Sequence, residues 1–522
     1  MDPVKRSIIT DLFGAIPEEM GHVLRRSAYS PNIKERMDAS CAIFDEQGRM
    51  LAQAEHIPVH LGSMPLAVRA VLDGFEGELH PEDQIILNDP YRGGTHLPDI
   101  TLIMPVFYHN KLVAFSANRA HHADVGSDQP GSLPPYSTYL EEEGMVIPPV
   151  FLVREGEIND DLITTIQQEM RNPKERLGDL RAQIGANRRG QQKITSLIDD
   201  HGRTDFRRFS KELRSYSSEL VRNSVTKIPD GTYQADGWME STGSGSESAR
   251  IEVEVTIRGT DIHIDFDGTD PQVRGNANTP LPVTISACYY VVRSLTDHDA
   301  PLNHGCYDMV NIDAPMETLV NPTEPHAVCS GNVETSQRIV DILFDAFRQA
   351  VPDRVPAQSQ GTMNNLVIGM HHKGTEKTYY ETIGGGEGAF SWRDGQDGIQ
   401  THMTNTKNTP VEALEHEYPL RVRQYQLRSG SGGNGEQTGG EGVVREIEFL
   451  GSEGSFSIIS ERRTSAPQGA QGGGDGKPGQ NLFIAGSGDE EEQDIGARAR
   501  SPLSRGDRIR ILTPGGGGYG TG

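Results

Sequence analysis

The 522 residues carry 74 acidic against 49 basic side chains, a formal net charge of −25. Such a surface repels phosphate backbones and excludes nucleic acid as a natural partner. No run of ~18 apolar residues occurs, so no membrane span and no membrane partner are expected. The N-terminal MDPVKRSIITDLFGAIPEEM turns acidic too early for a secretory signal, and the chain reads as cytoplasmic. Only 11 of the basic residues are Lys, leaving 38 Arg. Many acids with few lysines suggest a salt-adapted, halophilic surface. Cys41, Cys288, Cys306 and Cys329 form no CxxC pair, which argues against a disulfide scaffold and a thiolate zinc site.

In chain order, apolar residues at helical spacing (Ile8, Ile9, Leu12, Phe13, Ile16, Met20, Val23, Leu24) predict an amphipathic helix over about residues 6 to 29, bent near Pro17. CAIF (41–44), the turn DEQG and MLAQA (50–54) read as a hairpin. A second hairpin occupies about residues 98 to 118. Residues ~160 to 225 have helical texture and few breakers. IEVEVTI (251–257), RGTD and IHIDFDG (262–268) alternate apolar with polar and predict another hairpin. ETSQRIVDILFDAFRQA (334–350) predicts a helix with Ile339, Ile342, Leu343 and Phe347 on one face. Beyond ~360 the chain is Gly-rich with short strands, and GSGDEEEQDIGARARS (486–501) reads as a charged surface loop. The fold class that results is α+β in several layers: an N-terminal region of hairpins, a helical middle and a Gly-rich, β-containing C-terminal part. The texture changes near 228, dividing the chain into regions 1–228 and 229–522.

The second hairpin carries chemistry at its ends. Its turn lies near His109–Asn110, so cross-strand partners sum to about 219, placing Asp99 opposite Ala120 and Pro98 opposite His121. His96, Asp99 and His121 therefore gather at one end of an apolar scaffold. The first hairpin behaves alike. With its turn near Glu46–Gln47, Asp38 falls opposite about Glu55, with His56 and His60 close behind. Imidazole and carboxylate without thiolate suit a divalent metal such as Zn or Mn. Spacing alone does not bring Asp38 to the same site.

Other motifs carry less. GGGG (515–518) is no P-loop, since GxxxxGK[ST] is absent and no helix follows; the Gly clusters read as tight turns or close backbone approaches. ATP chemistry, if any, would then use another chain. Cys41 and Cys329 lack a visible base, and Ser63 fits no GxSxG elbow.

NDPYRGGTHLPDI, AHHADVG followed by PGS, EEEGMVIPP and ERMDASCAIFDEQGRMLAQAEHIPVHLGSM resemble the hydantoinase B/oxoprolinase family. So do SQGTMNN, YYETIGGGEGA, MTNTKNTPVEALEHEYPLRV and the terminal TPGGGGYG, and the likeness spans nearly the whole chain. The resemblance implies a B-type subunit of an ATP-dependent cyclic-amide hydrolase (hydantoinase, 5-oxoprolinase or lactamase) in a hetero-oligomer. An A-type partner would bind ATP and Mg and phosphorylate the small cyclic substrate. It also implies metal ligation by Asp38, His96, Asp99 and His121. His122 and Asp124, beside a proposed ligand, are candidates for proton transfer or for orienting that ligand, with Asp89 and His60 as outer partners. Gly126–Ser127 departs from the family's usual Gly-Gly after HADV, which bears on the local loop. Two further readings are an acetone carboxylase-like subunit and a non-catalytic assembly subunit.

Overall fold

The first apolar stripe folds as helix α1 (Pro3–Ser27), capped by the Asp2 carboxylate and opened by Pro3. Its buried face is Ile9, Phe13, Ile16, Met20 and Leu24, a period of three and four residues. Burying each is worth roughly 1.5–3 kcal/mol. Ile8 and Leu12 are exposed rather than part of the stripe. The computed structural model describes residues 2–54, 57–245, 247–486 and 491–522; among these the chain forms four sheets.

The N-terminal sheet holds β1 (Ala39–Asp45), β2 (Met50–Ala54), β3 (Gln84–Leu87), β4 (Asp99–Tyr108), β5 (Lys111–His121), β6 (Val150–Arg154) and β7 (Glu157–Ile158), in the order β2-β1-β5-β4-β3-β6-β7. Helix α2 (Ser63–Gly74) packs against β4 and β5. The helical middle resolves into Asp160–Glu169, α3 (Pro173–His201) and α4 (Arg203–Val225), broken at Asn172–Pro173 and Gly202. One face of β5 is polar towards α3: Asn118 Nδ2 donates to Gln183 O and Asn187 Oδ1, each at 2.8 Å. The other face, with Phe115 and Ala117, joins the main core.

A second sheet, β8 (Gly231–Met239), β9 (Ala249–Arg258), β10 (Asp261–Asp265) and β11 (Val310–Asp313), runs in the order β11-β10-β9-β8. Burial along β9 alternates residue by residue, as a half-covered sheet requires. Its apolar face meets α6 (Ser336–Ala350), whose Ile339, Ile342, Leu343 and Phe347 are buried as expected, and α5 (Leu281–Ser294) packs against α6. The main core runs through Phe44, Val68 and Ile103 as well as Val253, Phe347 and Ile459, so it continues across position 228.

The C-terminal strands are β12 (Asn365–His372), β13 (Thr375–Glu381), β14 (Leu420–Arg428), β15 (Gly442–Phe449), β16 (Glu453–Ile459), β17 (Gln480–Ile484), β18 (Glu492–Asp494), β19 (Arg498–Ser504) and β20 (Arg508–Leu512). They form two sheets, β13-β12-β16-β19 and β14-β15-β20-β17-β18. Residues 486–501, expected as a surface loop, instead supply β18 and the start of β19; 487–490 lie outside the described residues. Arg498 is buried, with Nη1 2.6 Å from Asn276 Oδ1, and β19 pairs with β16 along its length. The Gly clusters pack backbone on backbone. Gly516 N donates to Gly440 O at 2.9 Å, Gly433 N to Gly516 O at 2.8 Å and Gly517 N to Gln358 O at 2.8 Å. A Cβ on Gly516 would overlap the Glu387 carbonyl, and one on Gly439 would overlap that of Gly516.

Both hairpin registers depart from simple counting. Tyr108 pairs with Lys111 and Phe107 with Leu112, but the register then shifts, and Val106 pairs with Ala114. Val113 is the extra residue of a bulge. Asp99 consequently faces His121 directly, not Ala120. In the first hairpin Cys41 pairs with Ala54, beyond the expected register, again with a bulge near Phe44. The expected Glu55 and His56 lie outside the described residues.

Gly516→Ala should destabilise by about 3 kcal/mol or more, because backbone cannot yield to a methyl. Gly14→Ala, in α1 with nothing within 4 Å of the new Cβ, should stabilise by roughly 0.5–1 kcal/mol. Thermal melts of both variants would check this; a tolerated Gly516→Ala contradicts the close packing. Asp341 of α6 lies 2.7 Å from Arg462 Nη2 and 3.4 Å from His402 Nε2. Burial raises its carboxyl pKa, but the His402 hydrogen bond and the Arg462 charge outweigh it and hold the group down to about 2. A pKa depressed below the unfolded ~3.9 stabilises the fold fully above that value, and the gain is lost as pH falls towards 2. Asp341→Asn should therefore cost roughly 2–3 kcal/mol at pH 7, and the melting difference from the parent should shrink by pH 3.

Candidate metal centre

The end of the β4–β5 hairpin places Asp99 and His121 opposite each other. Strand alternation sends both side chains to the same face as Thr101 and Arg119. The loop before β4 brings in His96. His96 Nε2, His121 Nδ1 and Asp99 Oδ1 stand 3.2 Å from one another. All three residues are no more than 2% exposed, and among the described residues they are the one His/Cys/Asp/Glu group whose ligand atoms converge so closely. With bonds of ~2.1 Å, neighbouring ligands stand ~3.0 Å apart at octahedral and ~3.4 Å apart at tetrahedral angles. The triangle falls between these, so its size and its thiolate-free donor set fit a divalent cation.

Neighbouring side chains hold Asp99 in place. Thr95 Oγ1 donates to Asp99 Oδ2 at 2.6 Å, and His60 Nε2 lies 3.4 Å from the same oxygen. His60 Nδ1 is in turn 2.9 Å from Ser40 Oγ. Burial pushes the Asp99 carboxyl up, yet the His96 charge and the hydrogen bonds of His121, His60 and His96 keep it well below the usual carboxylate range. Burial lowers His60, which favours its neutral form. Two pairs along the hairpin and on the same face, buried Arg119 donates to Thr101 Oγ1 (2.7 Å), Ser63 Oγ (2.5 Å) and Gly93 O (2.9 Å). Desolvation lowers its pKa to about 10.

Asp38 reaches this end of the sheet through strand pairing that hairpin counting does not show. β1 pairs with β5 as well as β2, with Ala39 opposite Ala120, and His121 N donates to Asp38 O at 3.0 Å. Met37, with φ 58°, turns the chain into β1. Asp38 has the parity of Ser40, whose hydroxyl meets His60 on the triad's face. Its carboxylate lies 3.9 Å from the Arg36 guanidinium and is not part of the 3.2 Å triangle.

His122 and Asp124 take other partners. His122 points to the opposite face, where its Nε2 is 2.9 Å from Gln183 Oε1 of α3. Burial, aided by the nearby Arg176 charge, pushes its pKa down to about 4. The Asp124 carboxylate accepts from Gly126 N (2.9 Å) and Gly131 N (2.8 Å) and pairs with Arg171 at 3.1 Å. It thus braces the loop after His121, where Ser127 also bonds within the loop and to Glu142 O. Asp89 caps a short turn at Tyr91 N and pairs with Arg92.

Sequence reasoning did not name Tyr380, which arrives from β13. Its ring stacks on His121, with centroids 4.9 Å apart and planes 23° apart. Arg36 lies 4.5 Å over the Tyr380 ring and donates to its carbonyl at 2.9 Å. Nothing in local spacing links residue 380 to residue 121; the one hint was its place in YYETIGGGEGA.

Comparison with known proteins decides the family. The model for "Hydantoinase B/oxoprolinase" matches residues 2–522. The chain belongs to the hydantoinase B/oxoprolinase family. It is 41% identical to an uncharacterised protein of Methanocaldococcus jannaschii, over all of this chain and 91% of that one. It is 40% identical to 5-oxoprolinase 1 of Arabidopsis thaliana, again over all of this chain but only 42% of the plant protein. A Pseudomonas protein named as the B component of a putative D-/L-hydantoinase is 33% identical, with 100% and 90% coverage. The chain thus spans about two-fifths of the plant relative's length. Its fold matches the ATP-dependent caprolactamase of Pseudomonas jessenii with a TM-score of 0.93 at 28% identity, covering all of this chain and 91% of that one. An acetone carboxylase matches with a TM-score of 0.91 at 17% identity, covering 99% and 76%, which shows shared fold alone. The multilayer α+β architecture is therefore that of the caprolactamase. Among the described residues no helix is long and apolar enough to cross a membrane.

Proposed function

We propose that this chain is the B-type subunit of an ATP-dependent cyclic-amide hydrolase, completing the ring opening of a substrate that an A-type subunit has phosphorylated. The observation that carries the reading is the buried triangle of His96 Nε2, Asp99 Oδ1 and His121 Nδ1 at 3.2 Å. Support comes from membership of the family and from relatives named as a 5-oxoprolinase and as the B component of a hydantoinase. His96, Asp99 and His121, with Asp38 as a fourth ligand after reorientation away from Arg36, would hold a Zn or Mn ion. Bound there, the ion would supply Lewis acidity and would lower the pKa of water.

The chain's own residues do the rest. Thr95 and His60 hold Asp99 Oδ2, leaving Oδ1 for the triangle. Arg36 and Arg119 place positive charge beside the two carboxylates, which suits an anionic phosphorylated substrate. His122 and Asp124 take the orienting role of the two roles open to them, since each anchors the segment after His121 to a helix or loop. With no phosphate-binding loop in the sequence, ATP and Mg belong to the partner, and the substrate is a small cyclic amide such as a hydantoin, 5-oxoproline or a lactam.

Elemental analysis of the purified chain beside an Asp99→Ala/His121→Ala variant tests the centre. The expected result is about one divalent ion per chain, lost in the variant while its circular dichroism is unchanged. ATP-dependent ring opening should need an A-type subunit and fall at least ~10³-fold in the variant. Full activity in the metal-free variant would leave an assembly role. Bicarbonate-dependent ATP turnover would instead place the chain with a carboxylase.

A further inference from the structure

We propose that Tyr380, Asn365 and Glu334 form a positioning strut that sets the ring plane of His121 and so governs metal affinity from the C-terminal half of the chain. The inference rests on the metal reading above. A ligating imidazole normally donates its far N–H to a carboxylate or carbonyl, which fixes its orientation. His121 Nε2 is buried and has no such partner among the described residues. Among the described residues, the one ring contact His121 makes besides His96 is the stack on Tyr380, 4.9 Å between centroids. A stacked ring restrains χ2 as a hydrogen bond would.

Tyr380 is itself held from two directions. Its hydroxyl donates to Asn365 Oδ1 at 2.9 Å, so that proton is committed away from the centre. Asn365 Nδ2 donates to Glu334 Oε1 (2.8 Å) and Ile459 O (3.0 Å). Asn365 and Tyr380 stand on adjacent strands, β12 and β13. Glu334 Oε1 also accepts from Met363 N at 3.2 Å. Glu334 sits in a π-turn, Gly331–Thr335, at the head of α6, a distortion retained mainly where function uses it. Its burial raises the carboxyl to about 8, so at neutral pH the strut is uncharged and acts through geometry. Arg36 over the Tyr380 ring adds the second restraint.

Mn(II) affinity, followed by electron paramagnetic resonance and calorimetry on the full-length chain, reads the strut without any turnover. Tyr380→Phe keeps the stacked ring but cuts its hydroxyl bond to Asn365, and should bind about fivefold more weakly than the parent. Tyr380→Leu removes it and should bind roughly 10–100-fold more weakly, with a changed visible spectrum for the Co(II) form. Glu334→Gln preserves a neutral acceptor and should resemble the parent. The gain in melting temperature on adding Mn(II) should shrink in Tyr380→Leu, whereas a purely structural defect would lower the metal-free and metal-bound melts alike. Should Tyr380→Leu fail to fold, Asn365→Ala, which leaves the ring but frees its hydroxyl, carries the test with an expected loss of about fivefold. Parent-like Mn(II) affinity in a folded Tyr380→Leu or Asn365→Ala overturns the strut alone; a parent chain that binds no divalent ion overturns the metal reading and the strut together.

Discussion

The site depends on one cross-strand pair, Asp99 opposite His121. In an antiparallel sheet a register change of one residue sends every side chain beyond it to the other face. Without the bulge at Val113, His121 would swap faces with His122, and Asp99 would meet Ala120. The bulge lies eight residues from His121, at the far, solvent end of the hairpin, yet it decides which imidazole meets the carboxylate. The same choice leaves His122 to face α3 and Gln183. The neighbours His121 and His122 therefore sit in two different surroundings, separated only by the period of the strand.

That arrangement must be held against the rest of the molecule. Asp99 and His121 lie on the sheet face that joins the main core, and their cover comes from far along the chain: His60 from a short turn and Tyr380 from β13. The C-terminal part is in turn ordered by glycine. Segments at 386–388, 432–440, 469–476 and 515–518 approach so closely that carbonyl oxygens occupy the space of missing side chains. Each such glycine loses much conformational entropy on folding, and the dense backbone hydrogen bonding between segments offsets it. Glycine here is a packing residue.

Much of this was legible beforehand. Periodicity located α1, α6 and the hairpins, because amphipathic spacing reports local burial directly. The convergence of His96, Asp99 and His121 could be read from the turn position, since a hairpin is a local object whose ends must meet. The one-residue error in register came from a bulge, which leaves no clear mark in composition. Asp38 was beyond spacing because β1 joins β5 from far along the chain, with Ala39 opposite Ala120, and strand order in a sheet is decided by tertiary packing. Tyr380 was beyond it for the same reason. Residues 486–501 looked like a loop because their charges suggested solvent, yet Arg498 is buried on carbonyl and amide partners that only the folded chain supplies.

The charges around the triangle bear on what it is for. Asp38 and Asp99 bring two negative charges, and buried Arg36 and Arg119 bring two positive ones. With neutral imidazoles, as metal ligation would require, the protein's own contribution would be near zero. A site meant simply to trap a cation by attraction would omit the arginines, because each opposes binding in a low dielectric. Their presence would instead leave a loaded site positive overall, by the full charge of the ion. Such a site attracts an anion, and a cyclic amide acquires negative charge once its oxygen is phosphorylated. The local charge balance therefore supports the division of labour proposed between two subunits: phosphorylation elsewhere, and recognition of the phosphorylated ring at the buried end of the β4–β5 hairpin.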